Sequence, residues 1–172
     1  MALTKLNSAS VIERLPVGSV IQTKSMTVTT SDTSSGLTSF TDTGLTIDIT
    51  PQYSTSKIYI MSHVSMGGTN GYRFACRLMR GSTAISQATN ASSRTTVTVA
   101  DQGAGGNAID ITMPIFFLDE PSTTNALTYK IQAAPEQSGG TWYLNRGGIS
   151  SWADNSSVYA VTSSISVMEI KQ

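Results

Sequence analysis

The sequence predicts an all-β protein, an antiparallel two-sheet β-sandwich of jelly-roll type, and three observations carry that expectation. More than a quarter of the chain is Ser or Thr, while charged residues make up 13%. Thr is β-branched and suits a pleated face with water on one side. Apolar residues recur at every second position over several segments, the period of a strand with one face buried. These segments are separated by Gly-, Pro-, Ser- and Asn-rich turns, with no helical pattern between them to form a parallel crossover. A chain of 172 residues has room for one continuous core.

The clearest strand is Lys57 to Met66, with Ile58, Ile60, Ser62, Val64 and Met66 on one face and Tyr59, Met61 and His63 on the other. Phe74 to Arg80 places Phe74, Cys76 and Leu78 inward. Gly81-Ser82 then reads as a tight hairpin turn into a strand from Thr83 to Ala88. Ile109 to Leu118 lines Ile109, Ile111, Met113, Ile115 and Phe117 on one side, and Pro114 within it predicts an edge strand or a bulge. Val20 to Thr30, Leu37 to Phe40, Leu45 to Ile49, Leu127 to Ala134, Thr141 to Asn145 and Ser163 to Lys171 complete the strands, with a weaker one near Thr96 to Val99. Ser31 to Gly36 reads as turn material, and Ile165, Val167, Met168 and Ile170 as the last core contribution. The total is about eight to ten strands.

Residues 1–15 stand apart as an N-terminal arm, with residues 16–172 forming the sandwich domain. Leu3, Leu6, Val11, Ile12 and Leu15 are spaced for a short helix, Ser10 and Glu13 could form a capping box, and an extended arm is the alternative. A helix this short is marginal alone, so the arm needs a surface to lie on. Those five residues are the candidate anchor to a partner. No apolar run reaches the length of a signal-peptide core or a membrane span, so synthesis in a reducing cytoplasm and no membrane insertion are expected.

Eleven basic residues balance eleven acidic ones, which argues against a nucleic-acid partner, since neutralising many phosphates needs a basic excess. One His and one Cys, at positions 63 and 76, do not make a zinc-ligand cluster. No Gly-x-Ser-x-Gly elbow is present. Asp119 and Glu120 are adjacent before Pro121 and read as a solvated turn. The Gly-rich stretches at 103–106 and 146–148 lack the strand, helix and Lys of a phosphate loop. The expectation is no catalytic residue, no metal and no cofactor. Cys76 reads as a buried structural thiol.

Tyr72, Trp142, Tyr143, Trp152 and Tyr159 fall in or beside loops, where they could stack on a sugar, pack at an interface or complete the core. Tyr72 and Trp152 are the candidate receptor contacts, in loops 67–72 and 145–157; the polar stretch 89–107 is a third recognition loop. Tyr59, Met61 and Met79 read as outward apolar side chains and are the candidate subunit interface.

Several segments in consistent order carry a resemblance: Leu15-Pro16-Val17-Gly18-Ser19-Val20-Ile21-Gln22, Ser39-Phe40-Thr41-Asp42-Thr43-Gly44-Leu45, Leu78-Met79-Arg80-Gly81-Ser82-Thr83, Phe117-Leu118-Asp119-Glu120-Pro121, Tyr143-Leu144-Asn145-Arg146 and Ser166-Val167-Met168-Glu169-Ile170. Spanning nearly the whole chain from residue 15, they resemble virion appendage modules of tailed bacteriophages, particularly marine cyanophage-like ones. These occur as tail-fibre tips and as short free-standing structural proteins. The resemblance implies a location in the virion; the outward apolar residues add the expectation of a homotrimer, the loops that of attachment to a host surface glycan or protein, and other tail or capsid proteins are the expected partners. The alternative the resemblance leaves open is a capsid decoration or head-fibre protein held by the arm.

Overall fold

A computed structural model describes residues 8–35, 39–68, 73–89, 92–100, 109–136, 138–147 and 159–172. It contains one helix, α1 (Ser8–Glu13), and eleven strands: β1 (Val20–Val28), β2 (Asp32–Ser35), β3 (Thr41–Ile49), β4 (Lys57–Gly68), β5 (Phe74–Arg80), β6 (Thr83–Ile85), β7 (Val99–Ala100), β8 (Ile109–Asp119), β9 (Leu127–Pro135), β10 (Thr141–Leu144) and β11 (Ser163–Ile170).

The strands form two antiparallel sheets. The front sheet holds β1, β2, β4, β8, β10 and β11; the back sheet holds β3, β5, β6, β7 and β9. From β2 to β5 and again from β7 to β10 successive strands pass back and forth between them, as expected of a jelly-roll-like sandwich. Inward side chains from both sheets merge into one core that includes Leu45, Ile49, Ile60, Val64, Phe74, Leu78, Tyr129, Ile131, Trp142, Ile165 and Val167. The alternation behind it is strict in β3, where Thr43, Leu45, Ile47 and Ile49 are buried and their neighbours exposed. A bulge between Asp42 and Thr46 accommodates Gly44 at φ +79°, a conformation costly for residues with a Cβ.

The front sheet has an unusual lane. β8 pairs with β4 along Ile58 to Gly68, so β4 has one edge left. That edge is shared: β11 covers Lys57 to His63, and β10 covers Met66 to Gly68. β10 and β11 therefore lie end to end, one lane from which residues 146–162 depart and to which they return. On its far side β1 pairs with β11 and β2 with β10. Among the described residues β8 has no strand on its other side, which is where Pro114 costs no ladder bond.

Four expectations are corrected. Asp32–Ser35, read as turn material, is a strand against β10, an edge pairing that requires no apolar residue of its own. Helix α1 starts at Ser8, placing Ser10 inside it and not at its N-cap. In β11 the inward positions are Ser163, Ile165, Val167 and Glu169; Met168 and Ile170 lie half-buried on the outer face. The strand starting at Thr83 is shorter than its sequence suggested, ending at Ile85, although the Gly81-Ser82 turn is as expected, with Arg80 opposite Thr83 and Gly81 at φ +57°. Leu37 and its neighbours 36 and 38 lie outside the described residues.

Candidate functional site

The outer face of the front sheet can be read off its registers, since directly opposed residues share a face. Leu118, Tyr59, Met168 and Thr23 form one row across β8, β4, β11 and β1. Phe116, Met61, Ser166 and Ser25 form the next, and Pro114, His63, Ser164 and Thr27 the third. None of the three rows holds an Asp, Glu, Lys or Arg. Phe116 is 63% exposed and Leu118 43%, beside half-buried Tyr59 and Met61. Polar groups here satisfy one another: the Ser166 hydroxyl donates to Ser25 Oγ at 3.0 Å, and His63 Nδ1 lies 3.0 Å from Ser164 Oγ.

Of the three candidate interface residues, Tyr59 and Met61 thus lie on this face. Met79 does not: it is on β5 in the back sheet, opposite Lys130, and is 4% exposed. Its own chain covers it, which corrects its reading as an outward apolar residue. Phe116 and Leu118 were missed as surface residues. Their signal was there, since both are apolar yet out of phase with inward Ile115 and Phe117.

The seam between β10 and β11 is closed by Asn145, buried and at φ +58°. Its backbone N–H donates to Ser65 O at 2.8 Å, and its side-chain amide donates to Val28 O at 2.8 Å and Thr30 O at 3.0 Å. Its carbonyl Oδ1 accepts from the Ser163 hydroxyl at 2.6 Å, and Ser163 Oγ in turn accepts from the Ser65 N–H. These bonds satisfy backbone groups of the lanes beside the interruption. The left-handed turn at Asn145 sends Arg146 out of the sheet, with its guanidinium 4.1 Å from the centre of the Tyr143 ring.

Beside this exit lies a cleft of about 240 Å³. Met66, Ile111 and Val161 supply apolar walls; Ser65, Thr112, Arg146 and Tyr159 supply polar groups. The Ser65 and Thr112 hydroxyls are 3.1 Å apart, and Tyr159 is 86% exposed. Trp142, one of the loop-side aromatics, belongs to the core instead, and Tyr143 is buried.

Helix α1 is pinned to the end of β11. Lys171 Nζ donates to the carbonyls of Ile12, Glu13 and Leu15 at 3.1, 2.6 and 2.9 Å, capping the helix C-terminus. Of the candidate anchor residues, Val11 is 44% exposed while Ile12 and Leu15 are half-buried. Leu3 and Leu6 lie outside the described residues, as do the candidate receptor contacts Tyr72 and Trp152.

Two buried acids play roles the sequence did not disclose. Asp119, read as a solvated turn residue, is 5% exposed and joins the sheets: Arg80 Nη1 donates to both its carboxylate oxygens at 2.9 Å, and the Tyr129 hydroxyl donates to Oδ2 at 2.6 Å. Burial pushes the Tyr129 hydroxyl well above its ordinary pKa, and the bond to Asp119 adds to that. Glu120, next to it, is on the surface paired with Lys57. Fully buried Glu169 accepts from the N–H groups of Gln52 and Tyr53 and from the Gln22 amide, tying the turn after β3 to the front sheet. Cys76 is buried, its thiol pushed up to about 12 by that burial. Among the described residues no group of three or more His, Cys, Asp or Glu is placed to hold a metal ion. No helix among them is long and apolar enough to cross a membrane.

No family model matches the chain, and no curated protein matches it. Among solved structures the chain is similar to that of the infectious bursal disease virus VP2 subviral particle, at 11% identity and a TM-score of 0.44. The likeness covers 89% of this chain and 38% of that one. It is too distant to carry a functional argument.

Proposed function

We propose that this chain is a non-catalytic structural module of a tailed-phage particle, a trimeric fibre- or spike-type appendage contributing to host attachment. The observation that carries it is the outer face of the front sheet. Three rows without a charged residue, with Phe116 and Leu118 exposed among them, are ill suited to a free surface and well suited to a subunit contact, because covering them desolvates no ion. The resemblance of the chain to virion appendage modules supports the same reading. The buried acids Asp119 and Glu169 are engaged in structural bonds, so the chemistry of the interior serves the fold.

Light scattering on the purified chain at micromolar concentration should give three times the monomer mass, and Phe116→Asp with Met61→Lys should return it to monomer while it remains folded. A stable wild-type monomer would overturn the trimer. The exposed Val11 favours a second reading, a capsid decoration protein held by its arm. In that case deleting residues 1–15 should leave a folded protein that no longer joins the particle; normal incorporation would sink this alternative.

A further inference from the structure

We propose that the cleft where the interrupted lane leaves the front sheet binds a carboxylated sugar, a uronic- or sialic-acid residue of a surface glycan. The inference deepens the attachment reading and rests on it for its biological setting, though not for its chemistry. The decisive group is Arg146. Tyr143 takes one face of its guanidinium, and among the described residues no hydrogen-bond or ion-pair partner meets its N–H edge. By contrast Arg80 has Asp119, Arg77 has Gln132 and Arg73 has Glu136. A guanidinium stacked on one face and open at its edge presents a planar fork of donors that matches a carboxylate bidentately.

The rest of the cleft fits the sugar that would carry such a carboxylate. Tyr159, 86% exposed at the rim, offers a ring against which the C–H face of a pyranose can lie. Ile111 and Val161 continue that apolar surface, while the Ser65 and Thr112 hydroxyls, already 3.1 Å apart, can exchange bonds with ring hydroxyls. At about 240 Å³ the space is below the range of roughly 300–1,000 Å³ that drug-sized ligands occupy, which suits one sugar ring. Among the described residues that line it Arg146 is the single cation, so the cleft is matched to a singly charged group; a phosphate monoester would call for more. The base is preorganised, because the bonds of Asn145 to Val28, Thr30 and Ser65 fix the backbone from which Arg146 springs.

The test is the full chain on an array of uronic- and sialic-acid oligosaccharides, their carboxyl-reduced counterparts and sulfated neutral sugars. Binding confined to the carboxylated members is expected. Arg146→Gln should weaken it about tenfold or more and Arg146→Lys less, since Lys keeps the charge but not the fork. Tyr159→Ala should weaken it severalfold, and all three variants should melt with the wild type. No bound acidic member, equal binding after carboxyl reduction, binding confined to sulfated sugars, or an unaffected Arg146→Gln would each overturn the assignment. Adsorption of labelled chain to host cells separates the two readings. Adsorption undiminished by Arg146→Gln discards this site and keeps host attachment; carboxylated-sugar binding without adsorption keeps the site and discards attachment.

Discussion

On the outer face of the back sheet, polar side chains hold one another. Lys130 Nζ and the Gln132 amide donate to the two oxygens of Asp42 at 2.9 and 2.6 Å, and Arg77 donates to Gln132 Oε1 while lying 4.3 Å from the centre of the Phe40 ring. The front sheet's outer face, pleated in the same way, carries Leu118, Tyr59, Met168, Phe116 and Met61 with no charge in three rows. Folding alone would accept either surface, since both sheets bury the same kind of core. The difference lies in what each face leaves for water: one is a closed network with its ionic groups matched, the other an apolar strip wide enough to reward cover.

The largest effect that sharpens this contrast comes from neighbours on β4. Ile60→Asp places an unpaired charge in the core, at a cost comparable to the whole stability of about 5–15 kcal/mol, and no soluble protein should be recovered. Met61→Asp, one residue along on the outer face, should fold. Were both variants soluble with equal denaturation midpoints, the inward placement of β4 would be wrong.

The same substitution at two acids comes next. Asp119→Asn removes the negative charge that faces Arg80 and one of the two oxygens on which Arg80 and Tyr129 converge, and should cost about 3–5 kcal/mol in chemical denaturation. Asp42→Asn on the exposed network should shift stability by about 1 kcal/mol or less. Comparable losses would mean that the back face is not the screened surface described. Cys76 should resist a thiol reagent in the native protein and react only as fast as the chain unfolds, because burial disfavours its thiolate; rapid labelling of the native state would contradict its burial.

The smallest effect is in pH. Burial raises the Asp42 carboxyl, but bonds from Lys130 and Gln132 and the charges of Lys130 and Arg77 outweigh it and hold its pKa below the ordinary 3.8. A carboxyl lowered in the folded state contributes stability that is complete above its unfolded value and lost as pH falls through the folded one. The stability difference between wild type and Asp42→Asn should therefore be level at neutral pH and shrink only below about pH 4. A difference that grows as acid is added would reverse the sign assigned to the network.

Much of the fold was legible because β3, β4, β5 and β8 carry an apolar residue at every second position, the pattern that a strand with one buried face imposes. What escaped was decided by partners distant in sequence. Asp32–Ser35 becomes a strand because β10 offers it an edge, and nothing in Asp-Thr-Ser-Ser announces that. Asp119 reads as a turn acid, and Glu169 draws no notice, because the groups that hold them are set by the sandwich: Arg80 and Tyr129 for one, the N–H groups of Gln52 and Tyr53 for the other. Met79 looked outward by parity, which tells the face of a strand but not what the chain lays over it. For the cleft, the sequence offered Tyr159 as a loop aromatic able to stack on a sugar, and Tyr143-Leu144-Asn145-Arg146 as a segment. That Arg146 lies beside Thr112 and Ser65 is a product of the interrupted lane.

That interruption makes the sheet indifferent to what it releases. Asn145 and Ser163 are joined by a 2.6 Å hydrogen bond, so the two ends of the departing segment are held together whatever lies between. Closing a longer segment over such a fixed gap costs only about 0.6 kcal/mol for each doubling of its length. The register of β4, β10 and β11 is thus held by Asn145 and Ser163 themselves, and the sheet stays closed across the gap by bonds that the intervening chain does not have to supply.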